Sequence, residues 1–191
     1  GSPFIITIRA INTAGSDEQS WQLAVNPSLI SFIDNIDAGF STLGSWGTSS
    51  FAPGYFDRNY RYASPGSGSK QATWSFSVSA GQYEISAQWS AFDNRASNAV
   101  YRVINNGVEI GMQIFDQQVN GGQFNVFDTT YVVDAGMLNV VLANDADGYV
   151  IADAVQVVFL GSGDNVPPNG VIDTPSSDVT ITVGGTVDFT G

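Results

Sequence analysis

The chain has no cysteine and no histidine among its 191 residues. Without cysteine, disulfides cannot staple the fold and no thiolate can act as nucleophile or metal ligand. Without histidine, the commonest general base at neutral pH and the commonest metal ligand are both missing. Cationic side chains are scarce: six Lys and Arg stand against 18 Asp and Glu, for a formal charge of −12. Phosphate backbones demand clustered Lys and Arg, so nucleic acid is excluded as a general partner. No apolar run is long enough to span a bilayer as a helix, and membrane insertion is not expected. Charged residues make up only 13% of the chain, and Gly, Ser, Thr, Asn and Val take their place. This is the composition of secreted or cell-surface β-sandwiches with long polar turns. No signal peptide is present and Gly1-Ser2 reads as a cloning remnant, so a piece of a longer chain is expected.

The most unusual stretch is SWGTSSFAPGYFDRNYRY, Ser45 to Tyr62. It sets Trp46, Phe51, Tyr55, Phe56, Tyr60 and Tyr62 among turn-forming residues and two arginines, Arg58 and Arg61. The Ala52-Pro53-Gly54 turn argues against a helix and for a loop running into a short strand. Rings beside Arg and Asn suit sugars, whose C–H faces stack and whose edges are hydrogen-bonded. Five of the six basic residues (Arg58, Arg61, Lys70, Arg95, Arg102) lie between positions 58 and 102. They read either as solvated surface or as a local cationic spot for a carboxylate or sulfate group.

Alternation from Phe4 to Val25 about a Gly-Ser-Asp turn predicts a hairpin, with strands near Ile5–Ile11 and Gln19–Val25. Asn26-Pro27 closes that unit. Further strands are predicted at Asn59–Tyr62, Gln71–Val78, Tyr83–Trp89, Ala99–Asn105, Val108–Phe115, Phe124–Val133, Met137–Leu142 and Val150–Phe159. Asn106-Gly107 between two apolar runs is the strongest hairpin marker. About eight strands with no helical period predict an all-β, jelly-roll-like β-sandwich. Phase puts Trp74, Phe76 and Val78 on one face, with Trp74 in the core. Trp89 shares a face with Tyr83, Ile85 and Ala87, yet its place at a strand end leaves it a route to the surface. Asp153 falls in phase with Ile151, Val155 and Val157; a buried carboxylate needs a partner, expected to be Arg95, loop amides or a cation.

Gly161 to Asn169 is a linker by composition, and two more strand patterns follow. The expected organisation is therefore 1–27 as last strands of one repeat, 28–161 as the sandwich, 162–170 as linker and 171–191 as first strands of the next repeat. The outer pieces resemble bacterial Ig-like (cadherin-like or PKD-like) repeats. Unpaired edge strands are sticky, so Val179–Phe189 is expected to pair with the first hairpin, within the chain or by strand exchange with a neighbour.

The central block resembles the golvesin/xanthan-lyase carbohydrate-binding-like domain. The carrying residues are Ile33-Asp34-Asn35, Gly39-Phe40-Ser41, Gly44-Ser45-Trp46, Ala52-Pro53-Gly54-Tyr55, Tyr60-Arg61-Tyr62-Ala63, Ala72-Thr73-Trp74 and Arg95-Ala96-Ser97-Asn98-Ala99. They continue through Asn120-Gly121-Gly122-Gln123 and the run Asp145 to Val155. The resemblance implies a β-sandwich accessory domain with a carbohydrate role, joined to Ig-like and catalytic domains of a parent chain. Phe124, Val100 and Gln156 depart from the Trp, Pro and Arg usual at those places, and Phe124 offers weaker stacking than Trp.

The candidate carbohydrate-binding set is Trp46, Tyr55, Arg58, Tyr60, Arg61, Trp89, Arg95, Asn98, Gln118 and Tyr149. The bland alternative is that the tyrosines pin a long loop through their hydroxyls. Asp145 and Asp147, two apart before Gly148, are weak candidates for structural calcium, since the other ligands of a helical calcium loop are missing. No other cofactor and no catalysis are expected: eighteen acids offer no unique pair and no nucleophile motif occurs. The functional expectation is a non-catalytic module that targets a larger secreted enzyme or surface protein to polysaccharide, neutral or anionic. Its rival is a spacer or cell-adhesion domain in a string of Ig-like repeats, without glycan affinity.

Overall fold

The computed structural model describes residues 30–162, together with the backbone of residues 4–12 and 15–23. Strands β1 (Phe4–Asn12) and β2 (Gly15–Leu23) pair antiparallel from Phe4↔Leu23 to Asn12↔Gly15. The expected hairpin forms, though its second strand starts earlier, at Gly15. The linker and partial repeat assigned to 162–170 and 171–191, and the pairing expected of Val179–Phe189, fall outside the described residues.

The central unit is Ser28–Asp164. Its strands are β3 (Ile30–Ile33), β4 (Phe40–Leu43), β5 (Gly47–Ser49), β6 (Tyr60–Ala63), β7 (Gln71–Val78), β8 (Gly81–Gln88) and β9 (Ala99–Asn105). They continue with β10 (Val108–Phe115), β11 (Asn125–Val126), β12 (Tyr131–Val133), β13 (Gly136–Ala143), β14 (Val150–Ala152) and β15 (Ala154–Gly161). One sheet runs β10-β9-β13-β7-β4. The other runs β11-β8-β15-β3, with β12 also on β8. A small third sheet, β14-β6-β5, stands apart from both ladders. The result is a jelly-roll-like β-sandwich.

Alternation builds the core, because every second side chain of a strand faces the opposite sheet. Ala72, Trp74 and Phe76 of β7 meet Tyr101 and Val103 of β9, Leu138 and Val140 of β13, and Ile85, Val155 and Val157 from the facing sheet, all buried in one cluster. The Asn106-Gly107 turn takes φ values of 48° and 84°, the double left-handed geometry of a tight hairpin. It pairs Val108 with Asn105, and a bulge follows between Glu109 and Gly111.

Two expected strands are broken. Phe124–Val133 splits into β11 and β12, because Asp128 between them is clamped to β10: its amide donates to Gln113 Oε1 and its carboxylate accepts from Gln113 Nε2, each at 3.0 Å. Val150–Phe159 breaks at Asp153, sending β14 to the small sheet and β15 to the large one. β14 and the start of β15 are buried on both sides, so the apolar run shows no alternation across the change and Asp153 is its one polar mark. The short strands β3, β4 and β5 escaped prediction because three or four largely exposed residues show no alternation.

Registers bring the functional loops to one end of the sandwich. Leu43 and Ala143 both lie opposite Gln71, Ala99 opposite Phe115, and Ala154 opposite Gln88. The connections that start or finish at those residues therefore gather there, beside the β14-β6-β5 sheet.

Candidate functional site

At that end, β6 lies between β5 and β14. Arg61 sits opposite Thr48 and Ala152, and Tyr62 opposite Gly47 and Ile151. Arg61 Nη1 donates to Thr48 Oγ1 at 2.7 Å, which orients the guanidinium across the short sheet. A Cβ on Gly47 would come within 2.3 Å of the Tyr62 ring, so glycine provides the seat for that ring. Tyr62 meets Tyr149 edge to face, with centroids 6.1 Å apart and 66° between planes. Tyr149, just before β14, is 38% exposed. Trp46, on the β4–β5 connection, is half-buried against the core edge and its indole N–H donates to the Leu43 carbonyl at 3.1 Å.

The Tyr149 backbone is tied to the β8–β9 loop. Its amide donates to the Asn94 carbonyl at 3.1 Å and its carbonyl accepts from Ala96 at 2.8 Å. Next to it, the Asp147 carboxylate accepts from the Ser97 amide at 2.8 Å and from the Ser97 hydroxyl. The Asp147 amide donates to Asn98 Oδ1 at 2.9 Å. The Ser97 bonds hold the Asp147 carboxyl below its usual range. Two loops distant in sequence are thus locked into one rim beside the exposed tyrosine.

Gly47→Ala should test this seat. The nearest atoms are the far end of the Tyr62 ring, which can swing away, so the variant should keep its fold and lose about 1 kcal/mol or less in denaturant unfolding. Any ligand held by the tyrosine pair should bind several-fold more weakly. A loss of several kcal/mol would instead make Gly47 a position on which the fold depends.

The ten candidate residues do not form one surface. Trp46, Arg61, Asn98 and Tyr149 lie around the rim just described. Tyr55 is half-buried, its ring 6.2 Å from Tyr60. Arg58 is exposed and forms an ion pair with its neighbour Asp57, at 3.5 Å. Gln118 is exposed and donates to the Arg95 carbonyl at 3.0 Å.

Three candidates are interior and cannot meet a ligand from solvent. Trp89 is 1% exposed, packed on Phe115 with centroids 5.0 Å apart, and its indole N–H donates to the Val119 carbonyl. Tyr60 is 2% exposed and its hydroxyl accepts from Arg95 Nη2 at 2.9 Å. Arg95 is 7% exposed, its guanidinium lying over the Tyr60 and Phe92 rings at 5.3 and 5.7 Å. Its remaining bonds go to the Ser90 carbonyl and Asn94 Oδ1. Arg95 therefore clamps loops together and does not reach Asp153, which takes a bond from the Phe56 amide at 3.0 Å.

Tyr62, rather than Tyr60, is the ring presented to the rim. The two share strand parity, so alternation gave no means of choosing; the covering by Arg95 and Tyr55 decides. A second aromatic pair, Phe51 and Phe92, stands exposed with centroids 6.0 Å apart beside Arg95. Of the two calcium candidates, Asp145 Oδ2 lies 3.4 Å from Arg102 Nη2 and Asp147 is engaged by Ser97. Among the described residues no three acidic side chains converge on one point.

Comparison with known proteins follows this geometry. A family model described as the Golvesin C-terminal domain matches residues 31–159. A xanthan lyase of Bacillus sp. (strain GL1) is 33% identical over 142 residues, covering 71% of this chain and 15% of the lyase. The solved structure of Paenibacillus xanthan lyase is similar with a TM-score of 0.66 and 28% identity, over 77% of this chain and 14% of that one. The chain thus spans only about a seventh of either lyase. A family 35 carbohydrate-binding module from an environmental isolate shares the fold at a TM-score of 0.51 and 19% identity, covering 69% of this chain and 93% of the module. A second, from Cellvibrio japonicus Abf62, does so at 0.53 and 12%, covering 68% and 92%.

Proposed function

Because the chain belongs to the Golvesin C-terminal domain family, we propose that it is a non-catalytic carbohydrate-binding module whose polysaccharide lies on Trp46, Arg61, Tyr62 and Tyr149. The observation that carries this reading is the exposed Tyr149 ring, set edge to face on Tyr62 at the loop end that also holds Arg61. A flat ring open to solvent stacks on the C–H face of a sugar, and the neighbouring guanidinium supplies a planar fork for a hydroxyl pair or a carboxylate. Asn98 and Asp147, fixed to each other across the rim, add polar edges. Two relatives are xanthan lyases and two proteins of similar fold are carbohydrate-binding modules, which favours a glycan over a protein partner. The module acts outside the cell, carrying a larger enzyme or surface protein to its polysaccharide. Affinity from so shallow a surface is modest, and attachment to other domains multiplies it.

Affinity electrophoresis against neutral and anionic polysaccharides tests the proposal. The chain should be retarded by at least one of them, and Trp46→Ala and Tyr149→Ala should each weaken retardation about tenfold, on the order of 1–1.5 kcal/mol. If the bound polymer is anionic, added salt should weaken retention and Arg61→Ala should abolish that salt dependence. Free migration of the wild-type chain on every polysaccharide would leave the spacer role in its place.

A further inference from the structure

One exposed feature of the loop end is not used by the tyrosine rim. Phe51, past the end of β5, is 80% exposed, more than any other large apolar side chain among the described residues, and Phe92 in the β8–β9 loop is 43% exposed. Their rings meet edge to face, with centroids 6.0 Å apart and 76° between planes. Apolar residues scattered singly over a surface need no explanation. This pair is held in place from behind. The Phe51 amide donates to Ser49 Oγ at 3.1 Å, and the Phe92 carbonyl accepts from the Arg95 amide at 3.0 Å. The Arg95 guanidinium lies 5.7 Å from the Phe92 ring and 5.3 Å from that of Tyr60. Two rings fixed open to water before a ligand arrives lose little freedom when it binds.

Two stretches of backbone set how far this pair stands from Tyr62 and Tyr149. Gly47, which seats Tyr62, and Phe51 are four residues apart, a reach of no more than roughly 14 Å. On the other side, the turn from Phe92 to Arg95 brings its end residues within about 7 Å of one another. Arg95 in turn bridges to Tyr149 on the adjoining segment, a strand spacing of about 5 Å. The backbones of the two aromatic pairs are thus separated by roughly 10–14 Å, the length of about three linked sugar rings. Buried Tyr60 and Arg95 lie between them.

We propose that Phe51 and Phe92 form a second subsite for the polysaccharide held at the rim, on which reading the inference rests, and that this subsite seats a neutral sugar farther along the same glycan chain. Each ring offers an apolar face to the C–H groups of a pyranose. Ser50, Asp93 and Asn94, all exposed, frame the pair with groups that bond hydroxyls. The Arg95 guanidinium is engaged by the Ser90 carbonyl, Asn94 Oδ1 and the Tyr60 hydroxyl, while Asp93 stands exposed beside Phe92, so an acidic sugar meets a like charge here. Two rings are also too small a patch for a stable protein partner, which needs about 800 Å² on each side.

Affinity electrophoresis in gels containing xanthan, alginate or glucomannan tests the subsite. Each gel that retards the chain is repeated with two main-chain oligosaccharides as competitors, one too short to span both aromatic pairs and one long enough. Phe51→Ala should weaken retention about fivefold, by the same factor at low and high salt. It should also erase the advantage of the long competitor over the short one, whereas Tyr149→Ala should weaken both. A ring 80% exposed supports no core, so Phe51→Ala should melt with wild type. Free migration of wild type in every gel would reject the rim reading and the second subsite with it. Retention that Tyr149→Ala weakens but Phe51→Ala leaves within about twofold would overturn the second subsite alone. So would an equal loss in Phe32→Ala, a half-exposed ring on β3 of the other sheet, because retention would then be indiscriminate apolar adhesion.

Discussion

Trp74→Ala is expected to lower stability by about 4 kcal/mol, enough to move the melting temperature by roughly 10 °C or more. Trp74 is 0% exposed at the centre of the sandwich. Its ring stacks on Tyr101 at 6.2 Å and 26°, and packs on Phe40 at 5.3 Å. Truncation leaves a cavity that strands held in two ladders cannot collapse around, since β7 is bonded to β13 on one side and β4 on the other. The indole N–H also donates to the Asp153 carbonyl at 3.1 Å, so alanine strips a buried acceptor of its donor. Trp74→Phe keeps most of the volume but not the bond, and should cost about half as much. Guanidinium unfolding of the three proteins separates these contributions. A Trp74→Ala variant within about 1 kcal/mol of wild type would mean that the two sheets are not packed as described.

Arg95→Lys should be the next most damaging change, at about 2–4 kcal/mol, although it preserves the charge. The Arg95 guanidinium reaches the Ser90 carbonyl, Asn94 Oδ1 and the Tyr60 hydroxyl at once, between two aromatic rings. An ammonium group is compact and strongly hydrated, and cannot span three acceptors set around a plane. The loss falls on the loop that carries Tyr149, because the Asn94 and Ala96 backbone groups hold that residue. Glycan retention should therefore fall along with stability, without any contact between Arg95 and the sugar. Unfolding and electrophoresis on the same variant check both halves. A lysine variant that melts with wild type and binds with wild-type strength would reduce Arg95 to an ordinary interior residue.

These two positions differ in how far they could be read in advance. Trp74 lies in an alternating run with Phe76 and Val78, and parity alone placed it inside. Arg95 sits in a loop with no period, and a basic residue there reads as ligand-facing or as a partner for Asp153. Only the approach of Tyr60 from the start of β6 and of Phe92 from its own loop turns it inward. Trp89 shows the same limit more mildly: its phase indicated the core, and the route to solvent left open by its place at a strand end is closed by Phe115 and the Val119 carbonyl.

The break at Asp153 teaches a further point. A continuous apolar run reads as one strand, yet the chain changes sheets in its middle, and the polar residue at the corner was the visible trace of it. Its carboxylate was expected to find Arg95, an amide or a cation. It found the Phe56 amide, distant by 97 positions, and came within electrostatic reach of Asp34.

Period and turn chemistry are local properties, and they suffice for the all-β class, the Asn106-Gly107 hairpin and the inward faces of β7 and β8. Exposure of a loop ring, or the meeting of two acids from opposite ends of the domain, depends on pairings between residues far apart along the chain. Alternation names the face to which a side chain points; what comes to cover that face is settled when the loops close, and the neighbours they bring carry no signature in the segment itself.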